Sequence, residues 1–503
     1  MPVRMPTPQD LRDAGRRFGF DVHDEEVDGF SQYIREMLPA YRRLDELVAP
    51  TVPVKYPRRD FGARPATDDN RDNGWAWRCS IPGASDGPLA GKTVGLKDHV
   101  RVAGIPMMNS SSLMEGYVPT EDATIVTRLL DAGAEIIGKV VNGSHCFDAI
   151  GLSIYPGPQP INPSGPATGR YCAGGSSNGS AVVVANGDAD ITMGGDQGGS
   201  IRIPAAWCGI VGLKPTFGLV PHTGLAGLDP TVDHTGPMTK TVRDCALALQ
   251  AVAGADGLDP RQKDVQVKDY TAQLEAGVGG LRIGILTQGF GHAQSMPEVD
   301  AAVREAARVL ERVGATLADV SVPMHLDGNA ILWPLMIQGG NETNKQDGWG
   351  HGWSGHYALD HVNFMHRAIK ARANDLPLGL KLVLLLGEYT YQRYGMHYYA
   401  KAQNLTRALR AAYERIFEDV DVLLMPTIPF TAPPMPEEEL SPYEFLSIFA
   451  NMIHNTGSFN ATGHPALTVP CGEHEGLPIG LQLVGRHFED DVLLRAAYAY
   501  EQS

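Results

Sequence analysis

Apolar positions follow a helical period over 24–47, in an N-terminal segment that predicts two helices. Thr7 followed by Pro8 marks a helix start, because threonine caps free N–H groups and proline suits the first helical position. The recurrence of apolar side chains over 24–47 predicts a second helix. These side chains are Phe30, Tyr33, Met37, Tyr41 and Leu44. Pro39 interrupts the pattern and is expected to kink or split the helix. The stretch 50–74, rich in proline, arginine and aspartate, is predicted to be a linker.

Beyond this linker, strand-like and helix-like patterns alternate. Short apolar runs predict strands at 92–96, 135–138, 281–286 and 420–425. Amphipathic stretches predict helices at 121–133, with acidic residues in its first turn, and at 299–313 and 404–418. The alternation predicts an α/β fold with a mostly parallel sheet.

Residues 337–402 break this alternation. They include a stretch rich in glycine, tryptophan and histidine at 348–356, and helical character follows around 378–399. An insert of this kind often covers an active-site mouth and selects substrates, although a surface segment without a special role is the alternative. The predicted organisation is an N-terminal helical segment and linker at 1–70 and a core at 71–503, within which 337–402 covers the substrate.

Composition narrows the class of protein. The 503 residues are 43% hydrophobic and 20% charged, as in an ordinary globular chain. A net charge of −16 disfavours nucleic acid or an anionic membrane as a partner. The six cysteines lack a Cys-x-x-Cys spacing and indicate reduced thiols. No secretory signal is evident and no apolar run approaches the roughly 18 residues of a membrane span, so a cytoplasmic protein is expected.

Candidate chemistry lies in two glycine- and serine-rich segments, 174–180 and 195–202, and in Lys97. A serine hydroxyl needs a base, and neither segment contains a histidine. A buried lysine acting through a second serine can take that role, which points to Ser176 and Ser200. Successive glycines let backbone N–H groups converge on a developing oxyanion.

Lys97 can act as a base only when it is neutral, and its reference pKa is about 10.4. Burial would lower that pKa, and the apolar neighbours Val94, Leu96 and Val100 can supply it. An inward Asp98 would oppose the shift, so it is expected to point away and make structural hydrogen bonds. Pairing of Asp196 with Arg202 is expected to support the glycine-rich loop rather than to act in chemistry.

These segments, followed by 212–216, 463–472 and 476–485, resemble the amidase signature family of serine amidohydrolases. The resemblance implies one large mixed sheet covered by helices, and the reaction that it implies needs no cofactor. It places the nucleophile on Ser200, the base on Lys97 and the bridging serine, held in the family on a cis peptide, on Ser176. The implied oxyanion hole comprises the N–H groups of Gln197, Gly198 and Gly199, with Ser200 itself.

Segments 102–108, 194–200 and 217–221 look most similar to bacterial amidases associated with nitrile breakdown. That likeness implies hydrolysis of small aliphatic or aromatic amides to a carboxylic acid and ammonia or an amine. It offers three candidates for the apolar pocket wall, for which ordinary core packing is the alternative: Phe147, Val232 and Trp333. Similar amidases often dimerise through an N-terminal block, so a homodimer is expected; a helical pair packed on the core is the alternative.

Other functions remain open at this point. An aryl-acylamidase or a carbamate hydrolase (urethanase) of the same family shares the implied triad, as does the glutamine-hydrolysing subunit of a tRNA amidotransferase. The N-terminal block and the nitrile-type segments speak against the last. A non-catalytic amide binder would have no need of an oxyanion loop.

Two further patterns are set aside. Four histidines recur every five residues and spiral around a helix rather than share a face, so they predict no metal site. They are His351, His356, His361 and His366. In the stretch 144–146, a buried structural Cys146 is favoured over a thiol nucleophile.

Overall fold

Residues 3–352, 354–438 and 440–503 are described in the structure, which is a computed structural model. Two units divide the chain, Met1–Pro53 and Val54–Ser503. In the first, α1 (Pro8–Phe18) begins after the Thr7 cap, as predicted, and Asp10 completes a capping box that was not predicted. The second helix, α2 (Asp24–Glu46), continues through Pro39, so the expected split does not occur.

The second unit is built on a twelve-stranded mixed sheet, counted over the described residues. Its strands are β1 (Asp60–Ala63), β2 (Trp75–Pro82), β3 (Thr93–Lys97), β4 (Glu135–Val140), β5 (Ile191–Asp196), β6 (Val211–Lys214), β7 (His234–Thr239), β8 (Arg282–Leu286), β9 (Thr316–Val320), β10 (Val422–Pro426), β11 (Ala466–His474) and β12 (Leu477–Gly485). The spatial order is β1-β2-β4-β3-β5-β7-β6-β11-β12-β10-β8-β9.

The large mixed sheet is confirmed, but the expectation that it is mostly parallel is wrong. Of the eleven pairings between the described strands, seven are antiparallel. The four strands detected in the sequence are β3, β4, β8 and β10, and they pair in parallel as β3–β4 and β8–β10. The strands that the sequence analysis missed supply the antiparallel pairings, among them the hairpin β11–β12.

Helices cover the sheet. In chain order they are α3 (Thr124–Asp131), α4 (Asn178–Asn186), α5 (Arg202–Cys208), α6 (Val242–Val252), α7 (Pro297–Arg312), α8 (Gly328–Pro334), α9 (Gly340–Lys345), α10 (Leu359–Arg372), α11 (Leu378–Tyr394), α12 (His397–Ile416), α13 (Pro442–Met452), α14 (Gly457–Thr462) and α15 (Asp490–Glu501). A turn of π-helix at Leu335–Gly339 joins α8 to α9. No helix of the described chain is long and apolar enough to span a membrane.

Two predicted helix starts differ from the structure, and two segments contain elements that were not predicted. Helix α3 starts later than expected, because Asp122 accepts hydrogen bonds from Arg59 and from the Ala103 N–H instead of joining a first turn. Helix α12 starts seven residues earlier than predicted. The predicted linker contains β1, which pairs with β2 at the sheet edge, and the insert 337–402 contains the unpredicted helix α10.

Candidate active site

The candidate residues lie where two parallel strands end. Strand β3 ends at Lys97 and its parallel neighbour β5 ends at Asp196, so both carboxyl ends reach the same edge of the sheet. Ser176 lies shortly before α4, and Ser200 lies shortly before α5. Ligands commonly bind at this edge of α/β sheets.

Lys97 and Ser176 are in direct contact. The lysine Nζ lies 2.8 Å from Ser176 Oγ and donates to the Gly195 carbonyl at 3.2 Å. The Gly175–Ser176 peptide bond is cis, which is the geometry that the resemblance implies. Next along the chain, the Ser177 N–H donates to the Ser200 carbonyl oxygen at 3.1 Å. The structure therefore brings all three triad candidates into one place.

The lysine is fully buried, and burial lowers its pKa. Cys146, Asp196 and Asp233 act in the opposite direction. Burial also raises the pKa of the Asp233 carboxyl to about 7, although the Leu228 N–H partly offsets this rise. Deprotonation of this lysine therefore needs less alkaline conditions than in water.

The expectation for Asp98 is confirmed. Its carboxylate accepts the N–H groups of Met108 and Asn109, each at 2.9 Å, and pairs with the Lys139 ammonium at 2.9 Å. These three donors hold Asp98 in a structural role and keep its charge paired with a different lysine from Lys97.

Cys146 is a neighbour of the triad that the sequence analysis did not place there. The thiol is buried and interacts with both Lys97 and Ser176. Burial raises its pKa, so it stays a thiol rather than a nucleophilic thiolate. No sequence signal linked it to Lys97, because the contact arises from the fold.

The glycine-rich loop is held from several sides. The Gly199 N–H donates to Asp196 Oδ1 at 2.7 Å, and the Gly198 carbonyl accepts the Thr456 hydroxyl at 2.6 Å. Gly199 has a φ of 137°, and a Cβ there would lie 2.5 Å from Thr456 Oγ1. Within the described residues, the N–H groups of Gln197, Gly198 and Ser200 donate to no protein acceptor. The Gly199 N–H, expected to belong to the oxyanion hole, instead donates to Asp196.

Asp196 and Arg202 form the expected internal pair. The guanidinium donates to the carboxylate from Nε at 3.1 Å and from Nη2 at 3.0 Å, with both residues fully buried. It also donates to the Thr456 carbonyl, the Gln482 side chain and the Asn460 side chain. Burial by itself would raise the pKa of Asp196, but Arg202, Asn460 and the Ile201 N–H together outweigh burial and lower that pKa. The pair is therefore ionised and fixes the loop.

The predicted pocket residues lie in one apolar cluster. The Phe147 and Trp333 rings meet edge to face with centroids 6.4 Å apart, and Val232 is fully buried in the same cluster. Met336 Sδ lies 3.6 Å from where a Cβ on Gly198 would be, so this cluster borders the glycine-rich loop. The insert also reaches this region, because Gly379 approaches Phe147 closely.

Three of the four regularly spaced histidines have separate partners. His356 Nε2 lies 2.8 Å from Glu121, His361 accepts the Trp349 N–H at 3.1 Å, and His366 Nδ1 lies 3.2 Å from Asp347. Among the described residues, none of these four histidines belongs to a group with metal-ligand spacing.

Comparison with known proteins adds independent findings. The Amidase family model matches residues 71–494. An enantioselective amidase from Rhodococcus rhodochrous is 40% identical over 502 residues, covering 99% of this chain and 96% of that protein. A glutamyl-tRNA(Gln) amidotransferase component from Synechococcus sp. strain RCC307 is 38% identical over 426 residues, covering 83% of this chain and 84% of its own. The solved peptide amidase from Stenotrophomonas maltophilia superposes with a TM-score of 0.66 at 31% identity over 83% of each chain.

Proposed function

The chain belongs to the Amidase family, and on that premise we propose that it cleaves small aliphatic or aromatic amides through an acyl-enzyme on Ser200. As a member of this family it is an amide-hydrolysing enzyme. The observation that carries the proposed mechanism is the 2.8 Å contact between the buried Lys97 Nζ and Ser176 Oγ. A buried amine beside a hydroxyl has the right chemistry for a general base acting through a relay.

In the proposed reaction, neutral Lys97 accepts the Ser176 proton while Ser176 accepts the proton of Ser200. The Ser200 Oγ attacks the amide carbon to give a tetrahedral anion. Ser176 then returns a proton to the leaving amine, and water hydrolyses the acyl-enzyme by the same relay. The amide is consumed with one water to give a carboxylic acid and ammonia or an amine.

The proposed oxyanion hole uses the N–H groups of Gln197, Gly198 and Ser200. Their lack of protein acceptors leaves them free to stabilise the anion, and each such donor contributes about 10²–10³-fold in rate. Gly199 contributes the backbone conformation of the loop and no donor to the hole, because its N–H already donates to Asp196. Asp196 and Arg202 keep the loop in place and take no part in proton transfer.

The proposed substrate pocket is formed by Phe147, Val232 and Trp333. Their apolar surfaces suit the aliphatic or aromatic group that the amide carries. The approach of Gly379 to Phe147 supports a covering role for the insert 337–402. Anilides and carbamates share the reacting carbonyl, so a screen of the purified protein on amides, anilides, carbamates and esters separates these alternatives.

The alternative of a tRNA amidotransferase component has less support. The match to the Rhodococcus amidase covers 99% of the chain and so includes the N-terminal block, whereas the match to the Synechococcus protein covers 83%. Activity of the isolated chain on simple amides would favour a free enzyme. Activity that requires partner proteins would favour the amidotransferase.

A covalent serine intermediate is the direct test of this proposal. A fluorophosphonate is expected to inactivate the enzyme and to add one adduct, located on Ser200 by peptide mass mapping, because this serine belongs to the loop whose N–H groups are free to hold the adduct's oxygen. Ser200→Ala should take up no label, whereas Ser180→Ala should be labelled normally. A label on Cys146, or an active enzyme that resists the reagent, would contradict the mechanism.

A homodimer through the N-terminal block is proposed from α2. Its apolar side chains share one face at a spacing of three or four residues and are all exposed in the single chain. They are Phe30, Tyr33, Met37, Tyr41 and Leu44. Light scattering is expected to give about twice the chain mass of 54.2 kDa, and the double variant Tyr33→Glu/Met37→Glu to give one chain mass. A monomeric wild type would refute this proposal.

We further propose a cytoplasmic location and no nucleic-acid partner. All six cysteines are free, five of them buried, which suits a reducing compartment. The net charge of −16 would repel a polyanion.

A further inference from the structure

Three potential metal ligands meet away from the triad. Glu414 lies on α12, His464 lies two residues before β11, and His487 lies two residues after β12. One ligand atom from each, a carboxylate oxygen and two ring nitrogens, lies within 4.8 Å of the others. The sequence offered no signal for this group, because its members are far apart along the chain.

The proton position on His464 follows from its neighbours. The Thr462 hydroxyl donates its single proton to the Ser458 carbonyl at 3.0 Å, so its oxygen is left to accept. It therefore accepts from His464 Nδ1–H at 2.8 Å. The other ring nitrogen, Nε2, then carries the lone pair.

That lone pair has no protein donor. His464 is fully buried, and its Nε2 has no hydrogen-bond partner among the described residues. The nearest Glu414 oxygen is 3.7 Å away, too far for a hydrogen bond. A proton on Nε2 would have no acceptor in this fully buried position within the described chain, so the ring is neutral with its single proton on Nδ1.

The second ring is oriented in the same way. His487 Nε2 lies 3.1 Å from the Thr462 carbonyl, which can only accept, so this nitrogen carries a proton. In the neutral ring, Nδ1 then carries the lone pair, and it lies 3.2 Å from Glu414 Oε1. The two imidazole rings are 4.2 Å apart between centroids.

With His487 in its neutral form, two nitrogen lone pairs and a carboxylate oxygen lie within 4.8 Å of one another, an arrangement that a cation between them would stabilise. Metal-binding histidines typically donate their other ring N–H to an oxygen acceptor, and both rings do so here, to the hydroxyl and the carbonyl of Thr462. We propose that Glu414, His464 and His487 form a structural binding site for a divalent transition metal, with Zn²⁺ the best fit.

Zinc suits this donor set. It takes neutral imidazole nitrogens and carboxylate oxygens in tetrahedral geometry, and a solvent molecule can complete three protein ligands. Glu414 is 49% exposed, which gives the ion an entry path and lets the carboxylate move inward. The side chain of Arg410 also lies near the three ligands. Its Nε donates at 2.8 Å to the Thr462 carbonyl, which also accepts from His487.

The site would link α12 to the ends of β11 and β12. None of its ligands contacts Lys97, Ser176 or Ser200 in the described hydrogen bonds and ion pairs. Metal binding is therefore expected to change stability and to leave amide hydrolysis unchanged, so this proposal does not depend on the proposed reaction.

The test uses the untagged full-length protein after removal of metal with a chelator. Calorimetric titration with Zn²⁺ should show one ion per chain, and the unfolding temperature should rise with Zn²⁺ concentration by mass action. The variants Glu414→Gln and His487→Gln, which change partly exposed side chains, should weaken binding by about 100-fold or more. His397→Asn, an exposed histidine on the same helix, serves as the matched control and should bind as the wild type does.

The main rival is a protonated His487 that bridges Glu414 and the Thr462 carbonyl without metal. In that case Zn²⁺ would give no saturable heat and no shift in unfolding temperature, which would overturn the proposal. Equal Zn²⁺ binding by the wild type and Glu414→Gln would also overturn it. Retention of one ion per chain with an unchanged kcat after chelation and reloading supports the structural role.

Discussion

Ser200→Ala and Lys97→Ala are each expected to lower kcat by about four to six orders of magnitude while the chain stays folded. The reason is that in the proposed relay one proton moves through both groups, so losing either would stop nucleophile formation. Ser176→Ala, which removes the hydroxyl 2.8 Å from the amine, should cost nearly as much. The measurement is kcat on a simple amide, with circular dichroism to verify folding.

Two comparisons sharpen this test. The double variant Ser200→Ala/Lys97→Ala should be no slower than either single variant, because members of one relay act as a unit. Ser180→Ala, which changes a buried serine of α4 outside the relay, should keep nearly full activity. Additive losses in the double variant, or a Lys97→Ala enzyme with near-normal kcat, would refute the lysine as base.

Replacing Lys97 is expected to lower kcat but not the stability of the folded chain. Its pKa in the folded chain lies below the ordinary 10.5, so the unfolded chain binds more protons and stability rises with pH between those two values. Below that window Lys97 is protonated in both states, and the folded chain carries the full cost of a buried ammonium. Lys97→Met removes this cost with similar volume, so its unfolding temperature at pH 7 should equal or exceed that of the wild type.

The second large effect is on the pH dependence of kcat/KM. Only neutral Lys97 can accept the proton, so kcat/KM should rise about tenfold per pH unit on the acid side and level off above the lysine pKa. A non-ionising amide as substrate ensures that this limb reports the free enzyme. A plateau already complete by about pH 5.5 would exclude lysine as the titrating base.

Asp233 needs a control in this experiment, because its pKa of about 7 could produce a limb of its own. Its charge raises the lysine pKa, as do Cys146 and Asp196. Asp233→Asn should therefore keep the acid limb and move it to lower pH. Disappearance of the limb in this variant would assign it to Asp233 instead.

The fold was predictable where the local pattern is strong. The Thr7 cap and the strands that became β3, β4, β8 and β10 carry local signals, namely cap residues and short apolar runs. The paired hairpin β11–β12 escaped detection, because its place is set by partners elsewhere in the sheet rather than by its own periodicity. For the same reason the sheet was expected to be more parallel than it is.

Some features of the candidate site were predictable from local sequence and others were not. Lys97, Ser176 and Ser200 were identifiable because their segments are distinctive, and the structure brings them together. The position of Cys146 beside Lys97 and the capture of the Gly199 N–H by Asp196 depend on side-chain packing, which a one-dimensional pattern does not contain.

The anchoring of Arg202 has a consequence for synthesis on the ribosome. Its acceptors at Thr456 and Gln482 lie 254 and 280 residues farther along the chain. At about 5–20 residues per second, the proposed nucleophile emerges on the order of tens of seconds before those acceptors do. A nascent chain or a truncated fragment therefore carries Ser200 without the groups that shape the loop around it, and amide cleavage begins only once the late-synthesised part has folded onto the early part.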